Sequence, residues 1–457
     1  MNLLLLPMKL LASSEIKAIC IAIAVAMVTP FIPRKALIPF LSLWGIISRL
    51  VARGARNRCR PINSADSENV KQSARFVMYE DMPTEKRPLA LVTGTNSGIG
   101  YHTAVGLAAE GYTVVVTCRS HALTRETADR VRVEAQHQRA IFPNRYRNAP
   151  KHVIVVGLMP IECDDFDSIR SFVSWFTASF ESHNFQVLVN NAGGMRRGLR
   201  YSKFNPEFEF HTAVNFLGPM LLTELLLPLL EKNGGRVVYV SSLAHRSNEK
   251  CLTGYGTPSE PKSTAANDTL NGKLLRALKE LNQGEERSAG PLSKDSLSGA
   301  FVRYGTSKLL NIYHAHVIAR RYRDVPNPEH RVFACSLHPG VIKSGFAQGI
   351  GLPSRLIIIL NFISFFFFKT SWEGAQTTLH CAMCPLNELE LVMPPTTEGA
   401  DPVTSKGNNT HKLEDGYVSP YFVECANQTK LMLRKHGWDV KEAEMIIKWA
   451  KELLDLH

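Results

Sequence analysis

Leu89-Ala90-Leu91-Val92-Thr93-Gly94-Thr95-Asn96-Ser97-Gly98-Ile99-Gly100 reads as a strand, a turn and the start of a helix. The run LALVTG is apolar without a gap, which suits a strand buried on both faces. The glycines let the chain turn tightly, and a helix is expected from Gly98 to Glu110. Five further short, apolar, β-branched runs follow: TVVVTC (113–118), HVIVVGL (152–158), QVLVNNAG (186–193), GRVVYVSS (235–242) and RVFACSLHPG (331–340). Helical stretches lie between them. Strands alternating with helices predict an α/β fold with a doubly wound parallel sheet, in one domain.

The chemistry-bearing residues stand at the ends of these strands. Gly94, Asn96, Ser97, Gly98, Ile99 and Gly100 form a turn whose backbone can approach a pyrophosphate, with free helix N–H groups facing it. An acid at the end of the second strand would bind an adenine ribose 2′-hydroxyl. This chain has Arg119 there, and a guanidinium fork matches a 2′-phosphate, so NADP(H) is the expected cofactor. Asn190-Asn191-Ala192-Gly193 places small residues where a backbone can pass close to that cofactor. Tyr304 and Lys308 are four apart and so share a helix face. The ammonium is expected to lower the phenol's pKa from its usual value near 10. Ser242 would hold a substrate carbonyl, and Asn215 would anchor a water for proton relay. Each signal is weak alone.

Taken together and in order, TGxxxGxG, NNAG, the strand-end Ser242, YxxxK and His338-Pro339-Gly340 resemble the short-chain dehydrogenase/reductase superfamily over residues 88–385. CRS, HTAVNFLGPMLLT, RVVYVSSLAH, SLHPGVIKS and WEGAQTTLHCA are similar to its retinol-dehydrogenase-like branch, including fungal members on lipid droplets or the endoplasmic reticulum. The resemblance implies a Rossmann-type fold and a catalytic tetrad of Asn215, Ser242, Tyr304 and Lys308. It also implies that Asn191, Ala192 and Gly193 line the cofactor, and that Pro339, Gly340, Ile342 and Ser344 stand at its nicotinamide end. Glu162, matched by its spacing to Ser168, takes the place of the adenine-reading Asp. The implied function is NADP(H)-dependent carbonyl–alcohol interconversion in lipid metabolism, run as a reduction because cytosolic NADP is largely reduced. Many relatives are dimers or tetramers, which implies a homo-oligomer. The gap of 62 positions from Ser242 to Tyr304 exceeds what family members usually show, so residues 243–297 read as a surface insertion, helical around Lys273–Leu281.

The flanks set the location. Two apolar stretches, Ile16–Pro33 and Ala36–Ser48, are each short of a clean span of about 20 residues. Pro30, Pro33 and Pro39 break the middle, which fits a hairpin; a single span from Ile16 to Phe31 is the competing reading. No small-residue cleavage site precedes the basic run, which speaks against a signal peptide. Arg49, Arg53, Arg56, Arg58 and Arg60 then place the flank, and the catalytic domain, on the cytosolic side. The net charge of +12 is thus read as a membrane and phosphate feature, since no nucleic-acid motif is present. The expected layout is a membrane anchor at 1–51, a linker at 52–87, the catalytic domain at 88–393, and a C-terminal loop with an amphipathic helix at 394–457. The run LIIILNFISFFFF (356–368) reads as an apolar lid, which points to a lipophilic substrate such as a retinoid, sterol or long-chain aldehyde. Sequons at Asn267, Asn408 and Asn427 would matter only in a lumenal protein. The nine cysteines include Cys381 and Cys384, but no second pair at zinc-site spacing, so reduced thiols and no metal are expected. The competing function is a non-catalytic membrane scaffold or NADP(H) sensor; an extended-type nucleotide-sugar enzyme is disfavoured by the glycine spacing.

Overall fold

The computed structural model describes residues 83–247, 273–282, 292, 294–342, 369–392, 417–436 and 438–456. The apolar N-terminal segments, Ser344, the 356–368 run, Asn267 and Asn408 lie outside the described residues.

Six strands follow the expected runs: β1 (Pro88–Thr93), β2 (Thr113–Thr117), β3 (Ile154–Val156), β4 (Asn184–Asn190), β5 (Arg236–Val240) and β6 (Phe333–His338). Two more come from the C-terminal stretch, β7 (Tyr421–Val423) and β8 (Ala426–Asn427). The spatial order is β3-β2-β1-β4-β5-β6-β7-β8, parallel throughout except for the β7–β8 hairpin. The stretch expected as loop plus one helix therefore also extends the sheet. Its helical part is two helices, α8 (Thr429–His436) and α9 (Val440–Leu453).

Burial on both faces explains the gapless apolar strands. In β1, Leu89 and Leu91 join the core that also holds Phe172, Phe216, Tyr313 and Ile446. Ala90 and Val92 point the other way, into a core with Ala104, Val131 and Leu379. The period of two thus carries apolar residues on both phases. Helices α1 (Gly98–Glu110), α2 (His121–Ile141) and α7 (Ser371–Met383) cover one face. Helices α3 (Phe166–Phe180), α4 (Gly218–Lys232), α6 (Leu297–Arg321) and α9 cover the other. Helix α5 (Lys273–Asn282) is the helical piece expected within the insertion. Among the described residues, one helix, Phe210–Lys232, is apolar and long enough to cross a membrane, and most of it is buried in the core.

The chain order reverses between β1 and β4, which are neighbours in the sheet. Such a switch point opens a crevice at the carboxyl ends of the strands.

Cys118, Cys163, Cys335, Cys381 and Cys384 are free thiols, but Cys425 is disulfide-bonded, which corrects the expectation of reduced cysteines at that position. Pairing depends on proximity in the fold, and spacing along the chain does not show it.

Glu442 of α9 is buried between α5 and α6. It accepts bonds from the Leu274 amide at 3.3 Å and the Tyr313 hydroxyl at 3.4 Å. Burial pushes its pKa up to about 7, from 4.5. The native state therefore keeps a proton that the unfolded chain has released. Stability is full below about pH 4.5 and falls as pH rises through about 7, by at most about 1.4 kcal/mol per unit. Glu442→Gln should cancel that loss. Thermal melts from pH 5 to pH 8 should show the variant gaining on the wild type, and a constant offset would refute the assignment.

Candidate active site

Two turns meet at the switch point and lock each other. The Asn191 side-chain N–H donates to the Thr93 carbonyl at 2.8 Å and the Gly94 carbonyl at 3.1 Å. In return the Thr93 hydroxyl accepts from the Asn191 and Ala192 amides at 3.1 and 3.0 Å. Gly94 holds φ +67°, and a Cβ there would sit 2.8 Å from the Ala192 Cα. Gly98 shares that φ, but a Cβ on it would meet nothing within 4 Å. Open space thus lies over the start of α1, and Ser97 makes no side-chain cap to fill it.

At the far end of the crevice four side chains converge. The Tyr304 and Ser242 side chains are hydrogen-bonded. Lys308 Nζ lies 5.9 Å from the Tyr304 ring centroid and donates to the Val240 carbonyl at 2.9 Å. Asn215 sits in a π-turn (Ala213–Leu217) ahead of α4, an irregularity that often marks a site. Its Nδ2 donates to the Gly194 carbonyl and the Ser307 hydroxyl, at 2.9 and 3.0 Å, and its Oδ1 accepts from the Gly194 amide. A Cβ on Gly193 would lie 3.0 Å from Asn215 Oδ1 and 3.1 Å from Lys308 Nζ, so a glycine there keeps the floor between them open. The long insertion does not separate Ser242 from Tyr304.

Residues 88–258 match the short chain dehydrogenase family. Retinol dehydrogenase 12 of Mus musculus is 31% identical over 296 residues, covering 65% of this chain and 73% of that protein. Retinol dehydrogenase 14 of Homo sapiens is also 31% identical over 296 residues, covering 65% and 74%. A short chain dehydrogenase/reductase of Colletotrichum higginsianum is 30% identical over 305 residues, covering 64% and 63%. The chain belongs to the short-chain dehydrogenase family. Within it, the chain sits on the retinol-dehydrogenase-like branch. This is an oxidoreductase family that uses a nicotinamide cofactor, and the open glycine cradle fits one.

Just past the end of β2, Arg119 is exposed beside Glu162. Burial, with Asp164 close by, pushes the Glu162 carboxyl up, while Arg119 pulls it down. The Glu162 amide donates to Ser168 Oγ at 3.3 Å. Just past β6, Pro339 and Gly340 are buried, Gly340 with φ +95°. Ile342 bridges Lys369 and packs on Gly374. Ser344 lies outside the described residues.

One electrostatic expectation is corrected. Burial pushes the Tyr304 phenol up to about 12, and the bond to Ser242 is what opposes it. Lys308 is itself lowered to about 8 by burial. Its ammonium is turned to the Val240 carbonyl, so desolvation governs the tyrosine.

Other positioning groups escaped the sequence reading. Ser307 bridges Asn215 to the Tyr304 carbonyl, Ser241 Oγ donates to the Lys308 carbonyl at 2.8 Å, and the Leu243 amide donates to His338 Nδ1 at 3.2 Å. Ser307 stood inside the quoted YGTSK, but nothing in the motif separates a hydroxyl that bonds from one that only fills space. Away from the crevice, ligand atoms of His380, Cys384 and Glu388 lie within 4.8 Å of one another. His380 and Glu388 are already bonded to each other at 3.0 Å, and the Arg236 guanidinium reaches Cys384 Sγ at 4.0 Å.

Proposed function

We propose that this dehydrogenase interconverts a carbonyl and an alcohol on a lipophilic substrate with NADP(H), working as a reductase attached to the lipid droplet, the endoplasmic reticulum membrane or both, with its catalytic domain facing the cytosol. The observation that carries the reading is the bonded Tyr304–Ser242 pair beside Lys308 and Asn215, at the end of a glycine-lined crevice.

NADPH, when bound, would supply hydride for the carbonyl carbon. Gly94, Asn96, Ser97, Gly98, Ile99 and Gly100 would hold its pyrophosphate, Arg119 its 2′-phosphate and Glu162 its adenine. Asn191, Ala192, Gly193, Pro339, Gly340, Ile342 and Ser344 would line the rest. Ser242 holds the substrate oxygen, and Tyr304 gives it a proton. Burial pushes its pKa up to about 12, so Tyr304 carries its proton at neutral pH. Lys308 spends one of its three N–H donors on Val240, leaving two for a ribose. Both Nδ2 hydrogens of Asn215 are used, and one Oδ1 lone pair remains to accept from a relay water.

The relatives' names point to retinoids among lipophilic substrates. The same reading keeps the anchor at 1–51, the linker at 52–87, the catalytic domain from 88 and a homo-oligomer.

The test is NADPH and NADH oxidation by the purified full chain against lipophilic aldehydes and ketones. Turnover with NADPH is expected, and no turnover with any of them would refute the reading. Arg119→Ala should cut the preference for NADPH over NADH by at least about tenfold, the loss of a charge-assisted bond. An unchanged ratio would remove Arg119 from that role.

A further inference from the structure

In the chain following Gly193, the Arg196 amide and the Gly198 carbonyl are held by side chains that meet at one buried carboxylate. Glu209 is fully buried. One of its oxygens meets His211 Nδ1 at 2.6 Å and Arg303 Nε at 3.3 Å. The other accepts the His211 and Thr212 amides, at 2.9 and 3.1 Å, capping the turn that leads to Asn215. His211 Nε2 accepts the Arg196 amide at 3.1 Å, so its ring proton sits on Nδ1 and the ring is neutral. Arg303 donates to the Gly198 carbonyl, and to the Leu292 and Lys294 carbonyls at 2.8 and 2.9 Å. Arg303 immediately precedes Tyr304, and the His211 ring stands edge-on to the Tyr304 ring with centroids 6.3 Å apart.

A buried ion pair is a poor way to gain stability, because its desolvation offsets most of the attraction. It does fix geometry, since parting two buried charges leaves each uncompensated. Here the geometry fixed is that of a loop beside Tyr304: Met195 packs with Ala300 against the Tyr304 side chain.

We propose that Arg303, Glu209 and His211 are positioning residues that hold the 194–200 loop against Tyr304 as a wall of the substrate pocket. Through the Leu292 and Lys294 carbonyls they make the end of the long insertion part of that wall. Leu292 and Lys294 thus join the group that Arg303 ties to the loop. This rests on the proposed role of Tyr304, but the pin itself can be tested apart from it.

The experiment compares His211→Phe and Arg303→Lys with wild type in the full chain. His211→Phe keeps a ring against Tyr304 and loses both bonds. It should lower kcat/KM for the carbonyl substrate by about 10- to 100-fold, the cost of misplacing reacting groups by an ångström or less. Its NADPH affinity should stay within about twofold, because the cofactor contacts lie elsewhere. Arg303→Lys keeps the charge and loses the fork, so it should fold and show the same split. Amide hydrogen exchange at Arg196 should quicken in His211→Phe. A folded variant with unchanged kcat/KM would overturn the proposal, as would NADPH affinity falling in step with turnover. Should the wild type reduce no carbonyl, the proposed function fails first. Exchange at Arg196 then decides the pin alone: quickening supports it, and no change refutes it.

Discussion

Tyr304→Phe is expected to lower carbonyl reduction by about 10³-fold while NADPH binding stays within about twofold, in line with the usual worth of a positioned proton donor. The phenyl ring keeps its packing beside His211, since the change removes one oxygen. What goes is the O–H that bonds with Ser242 and that burial keeps protonated to about pH 12. Ser242 alone cannot replace it: a hydroxyl can hold an oxygen, but with no low-pKa partner it is a poor acid. In the proposed site the glycine turn, Arg119 and Lys308 would hold most of the cofactor, so the loss of one Tyr304 oxygen should cost its binding little. Stopped-flow NADPH oxidation gives the first quantity and a fluorescence titration the second. Turnover within about tenfold of wild type would end Tyr304's claim to the proton.

The convergence of this site was legible because its chemistry lies in residue type and short spacing. LALVTG announced a strand buried on both sides, and Leu89 and Ala90 do point into opposite cores. Tyr304 and Lys308 needed only the helical repeat to share a face. The missed parts have no such local signature. Strand β7 has three residues, and its hairpin turns through Glu424 and Cys425, both at positive φ, where the usual signal is Asn-Gly. Glu209 and Arg303 are far apart in sequence, and neither residue type announces a buried partner. Thr93 looked like part of the strand, yet its hydroxyl takes two amides of the opposite turn. The sign of the Tyr304 shift was missed because spacing reports proximity and says nothing of desolvation.

Gly100→Ala should weaken NADPH binding by about 100-fold and also lower the melting temperature, for one methyl group. The added Cβ would stand 2.3 Å from Asn191 Nδ2 and 2.4 Å from the Gly94 carbonyl oxygen. Neither can yield cheaply. The carbonyl is backbone, and the amide is held by bonds of 2.8 and 3.1 Å to Thr93 and Gly94. Relief requires the two turns to part, at a cost of about 1–3 kcal/mol, typical of overpacking. A parted turn no longer presents its amides to a pyrophosphate, so affinity falls with stability. Gly98→Ala isolates the two effects. Its Cβ meets no atom within 4 Å, so the cost to the fold is the φ of +67°, roughly 1–2 kcal/mol. That methyl would project into the open space over α1 and obstruct the phosphates while leaving the Asn191 lock in place. Titration and melting of both variants should therefore show affinity lost in each, but the lock broken only in Gly100→Ala, seen as faster exchange of the Asn191 and Ala192 amides. Wild-type affinity in Gly100→Ala would mean that the cofactor does not lie on this turn.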